Sequence, residues 1–446
     1  MTQRLKKTLL ACTAVWAIAA QPATAAPYCS ALRDAAQLDK KYKRLAPIWS
    51  DTNTGWIFTS DQMDATYTMT SEATRLMSKI VNAFDEAGVD LAMIVAPPRP
   101  LVAGQAIVDE AMGAAGAFDT ATTKESFHAL IEQLRATGAV VPDLLTLATQ
   151  NTQIPFYFQR DTHWTNSGAA ASALALAAAY QIDPKFDVND IIADEIYAEK
   201  GSLSQIVTAA CDIANPPEET ATFDYGLVAA SQGLGLLDET GTETAALLGT
   251  SFSDRNKRDQ YQFADALSAA LGKDVHNLSV SGGGLIGPIE AYVLSGALNE
   301  KQHPTVIWEF PYTQSLNVTS ELRQLLGALR ADHAKTGEAF AMQLSDNNSA
   351  SVDVPVRFGQ SDLIHVTTEN RDALKLSVKL TFEDGNTKEL RLRRKNRIPE
   401  DRRSADWWLD LSGLETPGIT EVSLKFDKDE QLGRVMMTLF PAETGS

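Results

Sequence analysis

From about residue 45 to 340, short apolar runs alternate with amphipathic stretches, the spacing of an α/β domain built on a mainly parallel sheet. Leu91-Ala92-Met93-Ile94-Val95 reads as a buried strand closed by Pro97-Pro98. Residues 126–137 then read as a helix with Phe127, Leu130, Ile131 and Leu134 on one face, and Ala139-Val140-Val141 as the strand that follows. Further strands are predicted at 245–248, 275–280 and 305–310, with helices at 259–271 and 322–331. After about residue 345 the helical spacing disappears. Leu374, Leu376, Val378 and Leu380 alternate with polar residues, Asp384-Gly385-Asn386 turns the chain, and Leu390, Leu392 and later Val422, Leu424 and Phe426 resume the alternation. This pattern predicts a separate antiparallel β-sandwich of roughly a hundred residues.

The amino terminus follows a different logic. Arg4, Lys6 and Lys7 precede a mostly apolar run over residues 9–20, and Ala23-Thr24-Ala25 supplies a small-residue cleavage site. Residues 1–26 are therefore expected to be a signal peptide cleaved near Ala25 or Ala26. A retained anchor is the competing reading, but the run is shorter than the ~20 residues a spanning helix needs. Leu9-Leu10-Ala11-Cys12 only faintly resembles a lipoprotein box, since the apolar run continues past Cys12. Export places the mature chain in an oxidising compartment, the periplasm or outside the cell. Once Cys12 has left with the signal, Cys29 and Cys211 form an even pair and are expected to be bridged.

The domains predicted are thus a signal peptide at 1–26, an α/β domain at 27–342 and a sandwich at 343–446. With 44% hydrophobic residues the chain can bury sizeable cores, and a formal charge of −18 argues against nucleic acid as a partner.

Two segments carry candidate chemistry. In Arg160-Asp161-Thr162-His163-Trp164-Thr165, a carboxylate two residues before a histidine can orient one ring nitrogen and leave the other free to accept a proton. In Leu248-Gly249-Thr250-Ser251-Phe252-Ser253-Asp254, a strand stops at glycine and a serine follows, at the carboxyl edge where such sheets collect ligand sites. The backbone amide of Ser251 is a candidate oxyanion donor. A helix-capping serine is the bland alternative, and Ser253 suits it better than Ser251.

These segments, with Gly55-Trp56-Ile57-Phe58, Val95-Ala96-Pro97-Pro98-Arg99 and Trp308-Glu309-Phe310-Pro311, resemble the alginate O-acetyltransferase family, the AlgX- and AlgJ-like group with an SGNH-hydrolase-like domain. The likeness is greatest to the two-domain, AlgX-like members. It implies an SGNH-hydrolase-like α/β/α domain followed by a carbohydrate-binding sandwich, with Ser251 as nucleophile, His163 as base and Asp161 as its orienter. The histidine segment precedes the serine, in keeping with the permuted order of that group. The implied function is a periplasmic enzyme that transfers acetyl, through an acetyl-serine, to hydroxyls of an acidic exopolysaccharide such as alginate. A carbohydrate acetylesterase and a non-catalytic polysaccharide-binding scaffold remain as alternatives. Since acetyl-coenzyme A is cytoplasmic, a membrane-borne or protein-borne acetyl donor is the expected partner, alongside a polysaccharide export complex.

Against the acidic background one basic cluster is informative. Lys388, Arg391, Arg393, Arg394, Lys395, Arg397, Arg402 and Arg403 precede Trp407-Trp408. Arginine forks match uronate carboxylates and an exposed tryptophan can stack on a sugar ring, so these residues are the candidate substrate strip. A solvated edge strand is the alternative. Gly282-Gly283-Gly284-Leu285-Ile286-Gly287 contains the spacing of a dinucleotide loop, but an exported protein has no nicotinamide pool, and no cofactor is expected. The six histidines show no metal-ligand spacing.

Overall fold

Four strands leave the same edge of one parallel sheet: β1 (Asp90–Ala96), β2 (Thr244–Leu248), β3 (Asp274–Asn277) and β4 (Thr305–Pro311), in the spatial order β1-β4-β2-β3. The computed structural model describes residues 27–104, 118–150, 154–183, 193–226, 243–255, 257–334, 336–355, 361–414 and 418–441; the expected signal segment 1–26 lies outside them. Because side chains alternate along a strand, each strand feeds two cores. Leu91, Met93, Val95, Val306, Trp308 and Phe310 pack on one side of the sheet, and Ala92, Ile94, Ala245, Leu247 and Ile307 on the other.

Helices α1 (Ser71–Glu86) and α2 (Thr120–Arg135) cover the first side. Leu76, Met77, Ile80, Val81 and Phe84 of α1 recur at three- and four-residue spacing, so one stripe is buried. Asp119 caps α2, its carboxylate accepting the amides of Ala121 and Thr122. The second side is covered by the alanine-rich α3 (Asn166–Ala179) and by α5 (Phe263–Leu271). Between them in sequence lies α4 (Ser202–Cys211). Helices α6 (Gly287–Leu294) and α7 (Thr319–Leu329) complete the layer shared with the second domain.

Three elements differ from expectation for local reasons. The strand expected at Ala139-Val140-Val141 contracts to a single parallel bridge between Val140 and Ala92, because Pro142 has no amide with which to extend the ladder. Helix α5 begins at Phe263 rather than 259, since Asp259 stands outside it and caps the amides of Phe263 and Ala264. Strand β3 ends at Asn277, although Leu278 and Val280 still donate to Leu247 and Gly249 of the neighbouring strand segment.

The carboxyl-terminal region is a pair of four-stranded antiparallel sheets. Their strands are β5 (Glu338–Met342), β6 (Ser349–Asp353), β7 (Ser361–Thr367), β8 (Lys375–Phe382), β9 (Thr387–Arg393), β10 (Asp406–Asp410), β11 (Ile419–Phe426) and β12 (Val435–Pro441), ordered β6-β11-β8-β9 and β10-β7-β12-β5. Strand β5 already pairs with β12, so the sheets begin a few residues before the boundary expected at 343. Leu376, Val378, Leu380, Leu390, Leu392, Val422, Leu424 and Phe426 all face the shared core, as their alternation requires.

The two regions are joined by buried charge. The Arg323 side chain, fully buried on α7, donates to Glu72 (2.8 Å) and to the carbonyls of Asp410 (3.0 Å) and Ser412 (3.1 Å). Arg330 pairs with Asp362 at 2.8 Å and also with Asp410.

Cys29 and Cys211 form a disulfide across 182 residues, tying the first described segment to the last residue of α4. Closing so long a loop restricts the unfolded chain. Replacing both cysteines by serine is expected to lower the unfolding free energy by about 2–5 kcal/mol, read as a lower urea midpoint with an unchanged fold by circular dichroism.

Candidate active site

At the carboxyl edge of the sheet, the turn after β2 presents Ser251, and a separate loop brings His163 to it. The ring Nε2 of His163 lies 2.8 Å from Ser251 Oγ, and its Nδ1 is bonded to the Asp161 carboxylate. The three predicted residues therefore sit in one hydrogen-bonded line.

The histidine loop is a tight hairpin. Tyr157 and Trp164 form an antiparallel bridge, Thr165 donates to Phe156, and Thr165 then caps α3 through the Gly168 amide. Buried Arg99, in the Pro-Pro-Arg segment that follows β1, fastens this hairpin from below. Its guanidinium donates to the carbonyls of Phe158 (2.9 Å), Gln159 (3.0 Å) and Ile57 (3.1 Å) and to the Gln62 side chain (2.9 Å). The rings of Trp56 and Phe58 lie 5.2 and 5.3 Å from the cation. From above, Glu218 accepts the amides of Gln159 (2.8 Å) and Arg160 (2.7 Å).

The Asp161 carboxylate is fully buried and multiply bonded. One oxygen accepts the His163 amide (2.9 Å) as well as the ring; the other accepts the Ser202 amide at 2.5 Å, at the first residue of α4. A helix start favours a negative charge. Gly201 makes this approach feasible: at φ +78°, a side chain there would place its Cβ 2.4 Å from the Arg160 carbonyl oxygen. Arg255 stands 3.5 Å from Asp161 and 3.7 Å from Glu199. Burial pushes the Asp161 pKa up, but His163, Arg255 and the Ser202 amide outweigh it and hold the carboxyl well below the usual range. The imidazole is fixed between Phe252 and Tyr261, with ring centroids 4.9 and 5.5 Å away.

The serine turn is held just as closely. Trp164 Nε1 donates to the Phe252 carbonyl (3.0 Å), locking hairpin to turn, and Asn277 donates to Ser253 O (2.7 Å). Beneath it, fully buried Glu309 on β4 accepts Thr250 N (2.7 Å), Thr250 Oγ1 (3.0 Å) and Ser253 Oγ (2.9 Å). Burial raises the Glu309 pKa to about 7 despite these donors. Ser253, weighed as a capping serine, is spent on Glu309 instead.

The predicted basic strip divides. Arg391 and Arg393 are exposed on edge strand β9, with Arg391 paired to Glu389 at 3.2 Å; Lys388 approaches Glu72 at 3.9 Å. Arg394 turns inward, pairing with Glu290 (3.0 Å) and lying 4.1 Å from the Trp407 ring centre. Trp407 is only 1% exposed, so its ring faces the core and is not offered to a sugar. Trp408 is half-buried, stacked on His365 at 4.0 Å. Arg402 donates to the Leu278 carbonyl (2.7 Å), and Arg403 to Ile398 O and Asp372. Lys395 and Arg397 are exposed, their stems lying against Gly284 and Gly282 of the glycine loop that follows β3. That loop is bonded to the serine turn, since Ser281 donates to Asp254 (2.9 Å). The basic segment therefore reaches the same sheet edge as Ser251.

Several residues of this site carry no readable motif. Arg255, Glu199, Ser202 and Glu218 are brought in from separate loops and helices by tertiary folding. Glu309 does have a signal: a lone acid within the otherwise apolar Val306-Ile307-Trp308-Glu309-Phe310. Among the described residues, no group of His, Cys, Asp and Glu is arranged to hold a metal ion, and no helix is long and apolar enough to cross a membrane.

A parallel sheet with a serine and an imidazole meeting at its carboxyl edge, followed by paired antiparallel sheets, defines an SGNH hydrolase-like domain with an appended β-sandwich. Residues 51–312 match the family described as SGNH hydrolase-like domain, acetyltransferase AlgX, and the chain belongs to that family. It is 25% identical over 415 residues to the alginate biosynthesis protein AlgX of Pseudomonas syringae pv. tomato, covering 87% of this chain and 84% of that protein. It is 27% identical over 271 residues to the probable alginate O-acetylase AlgJ of the same organism, covering 57% of this chain and 66% of the relative. The fold resembles the solved structure of Pseudomonas aeruginosa AlgX with a TM-score of 0.68 at 20% identity, over 92% of this chain and 98% of the other.

The raised Glu309 pKa has a consequence for stability. Between its ordinary value of 4.5 and about 7, the folded protein holds a proton that the unfolded chain has released. Stability attributable to this group therefore falls as pH rises through that window. Glu309→Gln is expected to remove that part of the slope, about 3 kcal/mol at most, in urea midpoints measured from pH 4 to pH 8. Asp259, also raised to about 7 by burial, contributes a separate part that the variant leaves in place.

Proposed function

We propose that this protein is a periplasmic polysaccharide O-acetyltransferase that passes acetyl through Ser251 to hydroxyls of an acidic exopolysaccharide such as alginate. The observation that carries this reading is the 2.8 Å contact between His163 Nε2 and Ser251 Oγ, with ionised Asp161 on the opposite ring nitrogen. An ionised Asp161 accepts a hydrogen bond from Nδ1–H, which keeps that proton on the ring and leaves Nε2 as the acceptor. His163 takes the Ser251 proton as the hydroxyl attacks the carbonyl carbon of an acetyl donor, and returns it to the departing group. An acetyl-serine results. A sugar hydroxyl then attacks that ester, its proton passing to His163 and on to Ser251 Oγ as the acetyl-serine bond breaks, which restores the free serine. The Ser251 amide is the proposed donor to the oxyanion in both steps.

The alginate-related names of the relatives support a uronate polymer as acceptor. Lys395 and Arg397, exposed over the glycine loop, and Arg391 and Arg393 on β9 are the cations best placed to attract it. We assign residues 1–26 to a cleaved signal peptide, and the disulfide accords with an oxidising compartment. The acetyl donor is then membrane-borne or protein-borne, and an export complex is the natural setting.

With an acetyl ester as donor, Ser251→Ala and His163→Ala are each expected to lower turnover by at least about 10³-fold. In the presence of uronate oligosaccharide, wild-type protein should give acetylated oligomer by mass spectrometry. Hydrolysis alone, unaffected by the sugar, would assign it to the esterases. Lys395→Ala with Arg397→Ala is expected to raise the KM for oligosaccharide severalfold and leave ester hydrolysis without sugar unchanged.

A further inference from the structure

We infer that Glu309 is a positioning residue for Ser251, its carboxylate clamping the turn so that the serine hydroxyl and backbone amide stay aimed at the acyl carbon. The inference rests on the catalytic reading of Ser251. A carboxyl group in the middle of a strand whose residues are all buried costs several kcal/mol unless its oxygens are satisfied. An apolar side chain would fill the same space without that cost. Among the described residues, every side-chain hydrogen bond of Glu309 goes to the residues bracketing the nucleophile, Thr250 and Ser253.

Several other polar groups of the turn are also tied down. Gly249 O accepts Val280 N (3.0 Å), Thr250 O accepts Ser253 N (3.1 Å) and Asp254 N (3.0 Å), and Phe252 O and Ser253 O accept Trp164 and Asn277. The amides of Thr250, Phe252, Ser253 and Asp254 are used within this scheme. None of these bonds uses the Ser251 amide. Gly249 allows the acid to lie so close, since a Cβ there would stand 2.5 Å from Glu309 Oε2. Glu309 thus acts on the reaction only through the geometry of the turn that carries Ser251.

The test measures the rate at which a fluorophosphonate labels Ser251, beside kcat and KM for an acetyl ester and the melting temperature. Glu309→Gln keeps the size of the side chain but turns an amide donor toward the turn. It is expected to slow labelling and kcat by about 10- to 100-fold with KM unchanged, while Ser253→Ala gives a smaller, severalfold loss. The double variant should be no slower than Glu309→Gln alone, because both act through one clamp. Labelling of Glu309→Gln at the wild-type rate would overturn the inference. If that variant does not fold, Ser253→Ala decides the matter: wild-type labelling there overturns it as well. Wild-type protein left unlabelled at Ser251 would instead overturn the catalytic reading itself.

Discussion

The hydrogen bond between His163 and Ser251 joins segments 88 residues apart, and the buried polar groups around it are arranged to hold those segments together. Neither side chain is fixed by its own secondary structure. One lies in a hairpin before α3, the other in a turn after β2. Arg99 reaches from the end of β1 to hold the hairpin, Trp164 locks hairpin to turn, and Glu309 braces the turn from β4. Three strand ends of one parallel sheet thus converge on a single contact. This follows from parallel topology, in which the carboxyl ends of all strands open on one edge.

The same neighbourhood sorts its acids by environment. Asp161 and Glu309 are both fully buried, yet burial wins at Glu309 and loses at Asp161. The difference is charge: Asp161 faces His163, Arg255 and a helix start, whereas Glu309 has only neutral donors from Thr250 and Ser253. Helix α4 links this electrostatics to covalent structure. Its first residue supplies an amide to Asp161 and its last is disulfide-bonded to Cys29, so the crosslink steadies the element that orients the carboxylate.

The appended sandwich is not a loosely tethered module. Arg323, Arg330 and Arg394 are each committed to acceptors across the junction, with Trp407 packed beneath Arg394. These arginines, of which Arg323 is fully buried, hold a basic segment in place, and two of its exposed members, Lys395 and Arg397, lie over the glycine loop that is bonded to the serine turn. Charge that looks like one continuous strip along the chain is therefore divided between structural anchoring and solvent.

Much of the architecture was legible from residue order. Alternation with period two located the parallel-sheet strands and β8, β9 and β11 of the sandwich, and three- and four-residue spacing located α2, α5 and α7, because burial of one face depends only on local geometry. Helices α1 and α4 and five strands of the sandwich emerged only from the structure. The segments bearing Asp161, His163 and Ser251 could be named for the same reason: a carboxylate beside a histidine, and a serine after a strand, are local arrangements. Tertiary structure alone decided that Arg255, Ser202 and Glu199 meet Asp161, that Arg394 and Trp407 face inward while Arg391 faces out, and that Glu309 lies under the serine. Those outcomes depend on which distant segments pack together, and no property of a side chain's immediate neighbours in sequence encodes which buried partner will satisfy its charge.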